Sequence, residues 1–568
     1  MRLSLARLVF GVSVVALGLA QPAAASCDDP FGNPDDVLDF HLQLTAANWA
    51  AFQASETSGA TCDDQYPYFP AEFRCGAQEP WLPIGFRRKR DRSETLQKLP
   101  IKLDFNRNVS EQRWPAARGH LGFRKLSLNS GQSDDAGRTA GTGRAGNPGV
   151  LTAILTEHLA WRLMRQEIPE ASGVAYARLT LHFSDTGETR TQGLYVLVED
   201  IDRTAIRTRF GADQGLLVKT TDLGCVDEVE FDDGAPNSAS DLFAAWLTAR
   251  PADFPGAWTA RTDEAMHLDE LLRQEALREL LANTGDTVLG NRNNYYAFDP
   301  SAGRRWYLPW DLDDMFRPFP QVRAADTPLV HACTGGTGCT PNPIGAAIRD
   351  NAEIRPRYLE IMCRLASGVA RESKLLADLQ ALDALIRPII ATEVPVLWTP
   401  VGKNPLDVSV DGTYASEVER MKTWIPARVQ AVRRMIEAEG VACPASCQEG
   451  ATATCAYHGL PSQRACAGGV WGDCDRIAAP PGTGGTTGTA GASGGASGAT
   501  GLAGTGGASG NGTTDGRGGM AGAASSSPPG ATSNGSGCGC AIESPTGASP
   551  WFLLLWLVMV AGLARRRA

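Results

Sequence analysis

The apolar residues of this chain repeat with a period of two up to about residue 200 and with a helical period after residue 266, and that order limits the folds open to it. DDVLDFHLQLTAANWAAF reads as an amphipathic strand leading into a helix. Residues 84–87 and 99–105 alternate like paired strands, and 121–129 alternates again. One helix interrupts them, predicted over about 149–166 with Pro148 opening it and Leu151, Leu155, Leu159 and Leu163 on one face. Residues 175–183 and 193–200 read as a hairpin joined through SDTGETR. Residues 266–283 are strongly helical in pattern, with Leu268, Leu271, Leu272, Leu277, Leu280 and Leu281, and further helices are expected over 346–438. Strands first, one helix among them, then mostly helices predicts a two-lobed α+β domain over 26–440.

Both ends of the chain have a different character. Residues 1–25 read as a signal peptide: Arg2 and Arg7, an apolar run LVFGVSVVALGLA, then AAAS, with cleavage after Ala25. A lipid on Cys27 is the alternative, for which Ala24 is a poor match. Residues 477–537 are Gly, Thr, Ala and Ser with almost no large apolar side chain, the composition of a flexible spacer. GCGC follows at 537–540, then WFLLLWLVMVAGLA and three arginines, Arg565, Arg566 and Arg567. That apolar run is short for a stable membrane span, and the arginines would stay on the cytoplasmic side. The tail, residues 538–568, resembles the myxobacterial-type C-terminal sorting signal, which implies processing near Cys538 or Cys540 and anchoring at the cell surface. A plain membrane anchor is the alternative.

Fourteen cysteines in an exported chain point to disulfides. Cys447, Cys455, Cys466 and Cys474 fall in a Gly-rich stretch (443–476) too poor in apolar residues to order itself, so two cross-links are expected, in any of three pairings. The zinc alternative has no C-x-x-C pair and only His458 nearby. Cys333 and Cys339 flank TGGTG and are expected to close a small loop. The net charge of −10 and a sequence pI near 5.4 disfavour a nucleic-acid partner. The cluster Arg87, Arg88, Lys89, Arg90 and Arg92 reads as a solvated strand or loop; if it binds anything, phosphate or an acidic substrate fits it.

The richest chemistry lies in NTGDTVLGNRNNYYAF and, after a short turn, RRWYLPWDLDDMF. Asp286 precedes Asn291 by five residues, Asn293 and Asn294 follow, and Asp311, Asp313 and Asp314 come after an aromatic strand. The bland reading is a β-turn and a solvated strand end. A carboxylate five residues before an amide, with a second carboxylate after the next strand, is also how protein kinases arrange a base and two metal ligands. The H-R-D and D-F-G triplets are absent. Tyr295, Tyr296, Phe298, Trp306, Tyr307, Trp310 and Phe316 would supply the apolar core that holds such acids at a strand end.

GLYVLVEDIDRTAIRTRFG, QGLLVK, NTGD, NNYYAF and LPWDLDDMF occur in the order found in the CotH family, the spore-coat-associated, atypical secreted protein kinases, and LGFRKLSLNSG fits as well. The chain resembles that family over roughly 83–316, more weakly to about 438. It departs at RRKRDRS, where Arg90 stands in place of a glycine of a Gly- and Ser-rich turn. The resemblance implies an ATP-dependent Ser/Thr kinase acting on surface or coat proteins, with Mg²⁺, or else Mn²⁺ or Ca²⁺, as cofactor. A catalytically silent pseudokinase or structural coat protein is the alternative. Lys98 matches the family's phosphate lysine, with Lys102 as fallback and Glu157 as its acidic partner. Val198, Glu199 and Asp200 match a kinase hinge that would bind adenine, with Glu199 and Asp202 structural. Lys219 is a second candidate for a phosphate. Asp286 would be the base, Asp311 the principal metal ligand, and Asn291, or one of Asn293 and Asn294, the amide ligand; Asp313 would bind the metal or orient Asp311. A carboxylate-pair glycosidase is a third reading, disfavoured because these acids travel with Asn and Lys.

Overall fold

The computed structural model describes residues 27–55, 66–89, 98–115, 122–131, 153–211, 214–221, 225–233, 262–282, 295–316, 329, 343–393, 404–443 and 450–471, with short interruptions in several of these stretches. The expected signal peptide, the Cys333–Cys339 loop, the spacer and the C-terminal tail lie outside the described residues.

Seven strands close a barrel. They are β1 (Val37–Leu44), β2 (Phe69–Cys75), β3 (Leu82–Arg88), β4 (Ile101–Asp104), β5 (Lys125–Asn129), β6 (Val174–Phe183) and β7 (Thr189–Glu199), in the order β1-β2-β3-β4-β5-β7-β6. Neighbours run antiparallel except at the closure, where β1 and β6 pair in parallel from Val37 opposite Tyr176 to Leu44 opposite Phe183. Closure leaves no free sheet edge. Alternation then decides what fills the interior: Phe40, Phe73, Phe86, Leu103, Leu128 and Leu197 are fully buried in one cluster. Phe40 meets Phe73 edge-on at 4.9 Å between ring centroids. Helix α1 (Ala46–Gln53) packs on β2 and β3, its first turn capped by the Thr45 side chain.

The α+β class holds. The strand-rich first part expected from element order takes the form of a closed barrel, because β1 finds a second partner in β6 far along the chain. The Cys27–Cys75 disulfide, with a Cα–Cα distance of 5.9 Å, fastens the chain ahead of β1 to the end of β2. It occupies the sulfur that a lipid on Cys27 would need.

The predicted helix is α2 (Ala153–Glu167), buried along most of its surface. After β7 come α3 (Arg203–Phe210), β8 (Gly215–Thr221), β9 (Cys225–Asp232), α4 (Leu268–Leu280), β10 (Tyr295–Pro300) and β11 (Trp306–Pro309). The four strands form a second antiparallel sheet, β11-β10-β8-β9. Then follow α5 (Pro343–Asp350), α6 (Ile354–Ser367), α7 (Glu372–Thr392) and α8 (Tyr414–Ala438). Helices α2, α4, α6, α7 and α8 and the second sheet share one continuous apolar core.

Residues of the small cysteine module form β12 (Thr452–Tyr457), β13 (Leu460–Ala467) and β14 (Val470–Trp471), and Cys466 is disulfide-bonded. The module is tied to the helices: β14 lies against α6, and Cys363 of α6 is bonded to Cys443 at the start of the module. Among the described residues, no helix is long and apolar enough to cross a membrane.

Candidate functional site

The outer face of β3, β4 and β5 is polar because alternation sends their apolar residues inward. Arg87 stands opposite Lys102, and Lys102 opposite Ser127. One residue beyond β3, the Lys89 ammonium donates to the Asn129 side-chain carbonyl at the end of β5. The Asn129 amide donates in turn to Glu157 Oε1 on α2. One helical turn later Trp161 donates its indole N–H to the same oxygen, at 3.4 Å. Glu157 is 1 % exposed, and burial pushes its carboxyl up to about 7. Asp311 pushes it the same way, while Lys89 and the two hydrogen bonds oppose.

The second wall is the end of β11. Trp310 is buried edge-on against Tyr296, with centroids 5.4 Å apart, and against Trp161, at 6.0 Å. Two cations converge on its ring: Lys89 Nζ lies 5.5 Å and Lys219 Nζ 6.0 Å from the centroid. The next residue, Asp311, is half-buried with φ +54°, a left-handed conformation uncommon for a residue with a side chain. The loop that follows returns to α4, where the Phe316 N–H donates to the Leu281 carbonyl at 2.8 Å. Leu281 and Ala282 lead into 283–294, the segment carrying Asp286.

Among the residues expected at a site, Glu157, Asp311 and Lys219 are thus gathered around Trp310. Asp313 lies two residues along the same loop, half-buried. Asp286, Asn291 and Asn294 lie outside the described residues, as does Asp314. Among the described residues there is no group of three or more His, Cys, Asp or Glu side chains able to hold a metal.

Other candidates lie elsewhere. The Lys98 ammonium donates to the Leu194 carbonyl, sits 4.4 Å from the centroid of the Tyr195 ring and lies 3.9 Å from Glu393, where burial lowers its pKa to about 8. Lys102 pairs with Asp200 at 3.0 Å. Burial raises the Asp200 carboxyl, but Lys102, the Ser127 hydroxyl and Lys125 outweigh it and hold the pKa below the ordinary value. Glu199 accepts from the Gly173 N–H at 3.0 Å and from Arg209 at 2.5 Å, a structural tie. Val198 stands opposite Ser127 on one side and Val174 on the other, so the hinge-like strand is paired along both edges. Asp202 is the N-cap of α3, accepting from the Thr204 and Ala205 N–H groups.

Two residues of the cluster were not legible as such. Lys89 is hidden in an arginine-rich run, and only the register of β3 against β4 brings it to this face. Asn129 is an ordinary strand-end amide until β5 is set beside α2.

A buried acid on a helix is thus linked through an amide to a strand-end lysine, beside a carboxylate on the loop after an aromatic strand. The family model for CotH kinase protein matches residues 148–432, half of the chain, and the chain belongs to the CotH family. Strands β1–β5, with Lys89 and Asn129, precede the matched segment. No curated protein matches the chain.

Proposed function

We propose that this protein is an exported, surface-tethered protein kinase that transfers the γ-phosphate of ATP to Ser or Thr hydroxyls of surface or coat proteins. The observation that carries this reading is the convergence of Lys89 and Lys219 on the Trp310 ring, beside Glu157 and Asp311. Lys89, oriented through Asn129 by Glu157, and Lys219 would hold phosphate oxygens. Asp311 and Asp313 offer hard carboxylate oxygens on a half-buried loop, donors that suit Mg²⁺. Mn²⁺ and Ca²⁺ accept the same donors. A bound Mg²⁺ supplies neutralisation of the triphosphate charge. Asp286 would take the proton of the attacking hydroxyl as its oxygen bonds to the γ-phosphorus and the bond to the bridging oxygen of ADP breaks. Asn291 or Asn294 is the amide ligand in this reading.

The alternative is a pseudokinase or structural coat protein. It is favoured by RRKRDRS, where Arg87 and Arg88 are buried against Tyr68 and Tyr66, 5.3 and 5.2 Å from the ring centroids, in place of a Gly-rich turn. Incubation of the purified protein with γ-labelled ATP and Mg²⁺ separates the two. Label on the protein, or on an added Ser/Thr substrate, supports the kinase. Mg²⁺-dependent thermal stabilisation by ATP without transfer favours the pseudokinase, and the absence of both removes nucleotide binding from the account. Surface tethering through the C-terminal tail is tested by truncation before Gly537, which should release the protein into the medium. Retention of the truncated form with the membrane fraction would overturn it.

A further inference from the structure

Helix α4 has polar side chains where a core helix would carry apolar ones. Gln274, Glu275, Arg278 and Glu279 are each no more than 1 % exposed. Burying a guanidinium is costly unless its donors are used. Arg278 uses one across the core: its Nη2 donates to the Trp310 carbonyl at 2.8 Å. That carbonyl belongs to the peptide plane joining Trp310 to Asp311, and the orientation of this plane relative to the Asp311 Cα is the φ angle of Asp311. A planar, always-charged donor fixed on a helix therefore holds the residue at φ +54°. Such a conformation persists only where its surroundings impose it.

The end of α4 is held as well. Arg428 of α8, 1 % exposed, donates to the Leu280 carbonyl at 3.1 Å and to the Glu279 carbonyl at 2.7 Å. The next carbonyl, that of Leu281, takes the Phe316 N–H. Carbonyls left over at a helix C-terminus are thus given cationic and backbone donors. One helix end fixes the loop of Asp311 from both sides and also the point where the Asp286 segment departs.

We infer that Arg278 is a positioning residue for Asp311: it pins the Trp310–Asp311 peptide in the left-handed conformation that turns the carboxylate towards the Lys89–Glu157 face. Its role at a metal rests on the kinase reading above; its hold on the loop does not. In the full chain, Arg278→Met removes the donor at similar volume, and Arg278→Lys keeps a cation with shorter reach. The Met variant should raise the Mg²⁺ concentration for half-saturation of ATP binding roughly tenfold, with a smaller rise for Lys. Without any nucleotide, amide hydrogen exchange over 310–316 should accelerate in the same order. Leu42→Ala in the barrel core is the control: it lowers the melting temperature but should move neither readout.

If Arg278→Met does not fold, Arg278→Lys carries both measurements. Exchange over 310–316 that stays at the wild-type rate in a folded variant overturns the inference, as does an unchanged Mg²⁺ dependence where wild type binds ATP. A wild type that shows no Mg²⁺-dependent ATP binding instead removes the kinase reading, and the exchange measurement still decides whether Arg278 holds the loop.

Discussion

Lys98 lies 3.9 Å from Glu393, with side chains 1 % and 4 % exposed, and the pair joins the loop before β4 to the end of α7. Glu393 also accepts the Leu194 N–H at 2.6 Å, and Gly193, at φ +91°, leaves no room for a Cβ beside that carboxylate. The arrangement bolts the barrel to the helices.

Removing one partner of such a pair strands a buried charge. Lys98→Met should cost about 3 kcal/mol of stability, while the remaining folded protein binds ATP as wild type does. Lys89→Met is expected to do the reverse, holding the melting temperature within a few degrees and weakening ATP binding at least tenfold. Paired thermal melts and ATP titrations check this. A stable Lys98→Met variant that fails to bind ATP would return the phosphate role to Lys98.

The two motif carboxylates should separate by role. Asp311→Asn removes the anionic ligand and should abolish Mg²⁺-dependent ATP binding together with transfer. Asp286→Asn should bind ATP normally and lose transfer by a factor on the order of 10² or more, the scale of a positioned base. Equal Mg²⁺-dependent binding by wild type and Asp311→Asn would remove the metal assignment. Undiminished transfer by Asp286→Asn would remove the base.

Local signals were enough to identify most elements. Alternation located β3, β4 and the β6–β7 hairpin, and the leucine stripe located α2, because burial on one face writes itself into the period of the sequence. Barrel closure has no such signal: the pairing of β1 with β6 depends on residues well over a hundred positions apart. The same limit governs the lysines. Lys98 and Lys89 both flank strands of one sheet, and only packing separates them, placing one on Glu393 and the other on Asn129. Trp310 and Asp311 were legible because an aromatic strand followed by acids is unusual in itself. The left-handed turn at Asp311 was not, since Arg278 imposes it from another element.

The Cys363–Cys443 disulfide closes a loop with a sequence separation of 80. The chain-entropy model puts its contribution at up to about 4.5 kcal/mol. Cys443→Ser should lower the melting temperature and increase proteolytic cutting between α8 and β12. Because β14 rests on α6, Cys466→Ser should disturb the module and also raise exchange in α6, leaving ATP affinity unchanged. Loss of ATP binding in either variant would show that the module supports the residues around Trp310.

His158 is fully buried on α2, stacked on Tyr176 at 4.2 Å, with Nε2–H donating to the Pro34 carbonyl at 2.8 Å. Burial lowers its pKa from 6.5 to about 3; the bond to Pro34 opposes this and Arg162 adds to it. The folded state therefore keeps the ring neutral where the unfolded chain would take up a proton. The resulting stability is present in full above pH 6.5 and is lost progressively as pH falls towards 3. Each pH unit in that window should cost about 1.4 kcal/mol from this group alone. His41 and His182, both lowered first by burial, act in the same direction. His158→Gln should be less stable than wild type at neutral pH, yet its urea midpoint should fall less steeply between neutral and acid pH. Parallel pH profiles for the two proteins would show that protonation of His158 is not what acid exploits.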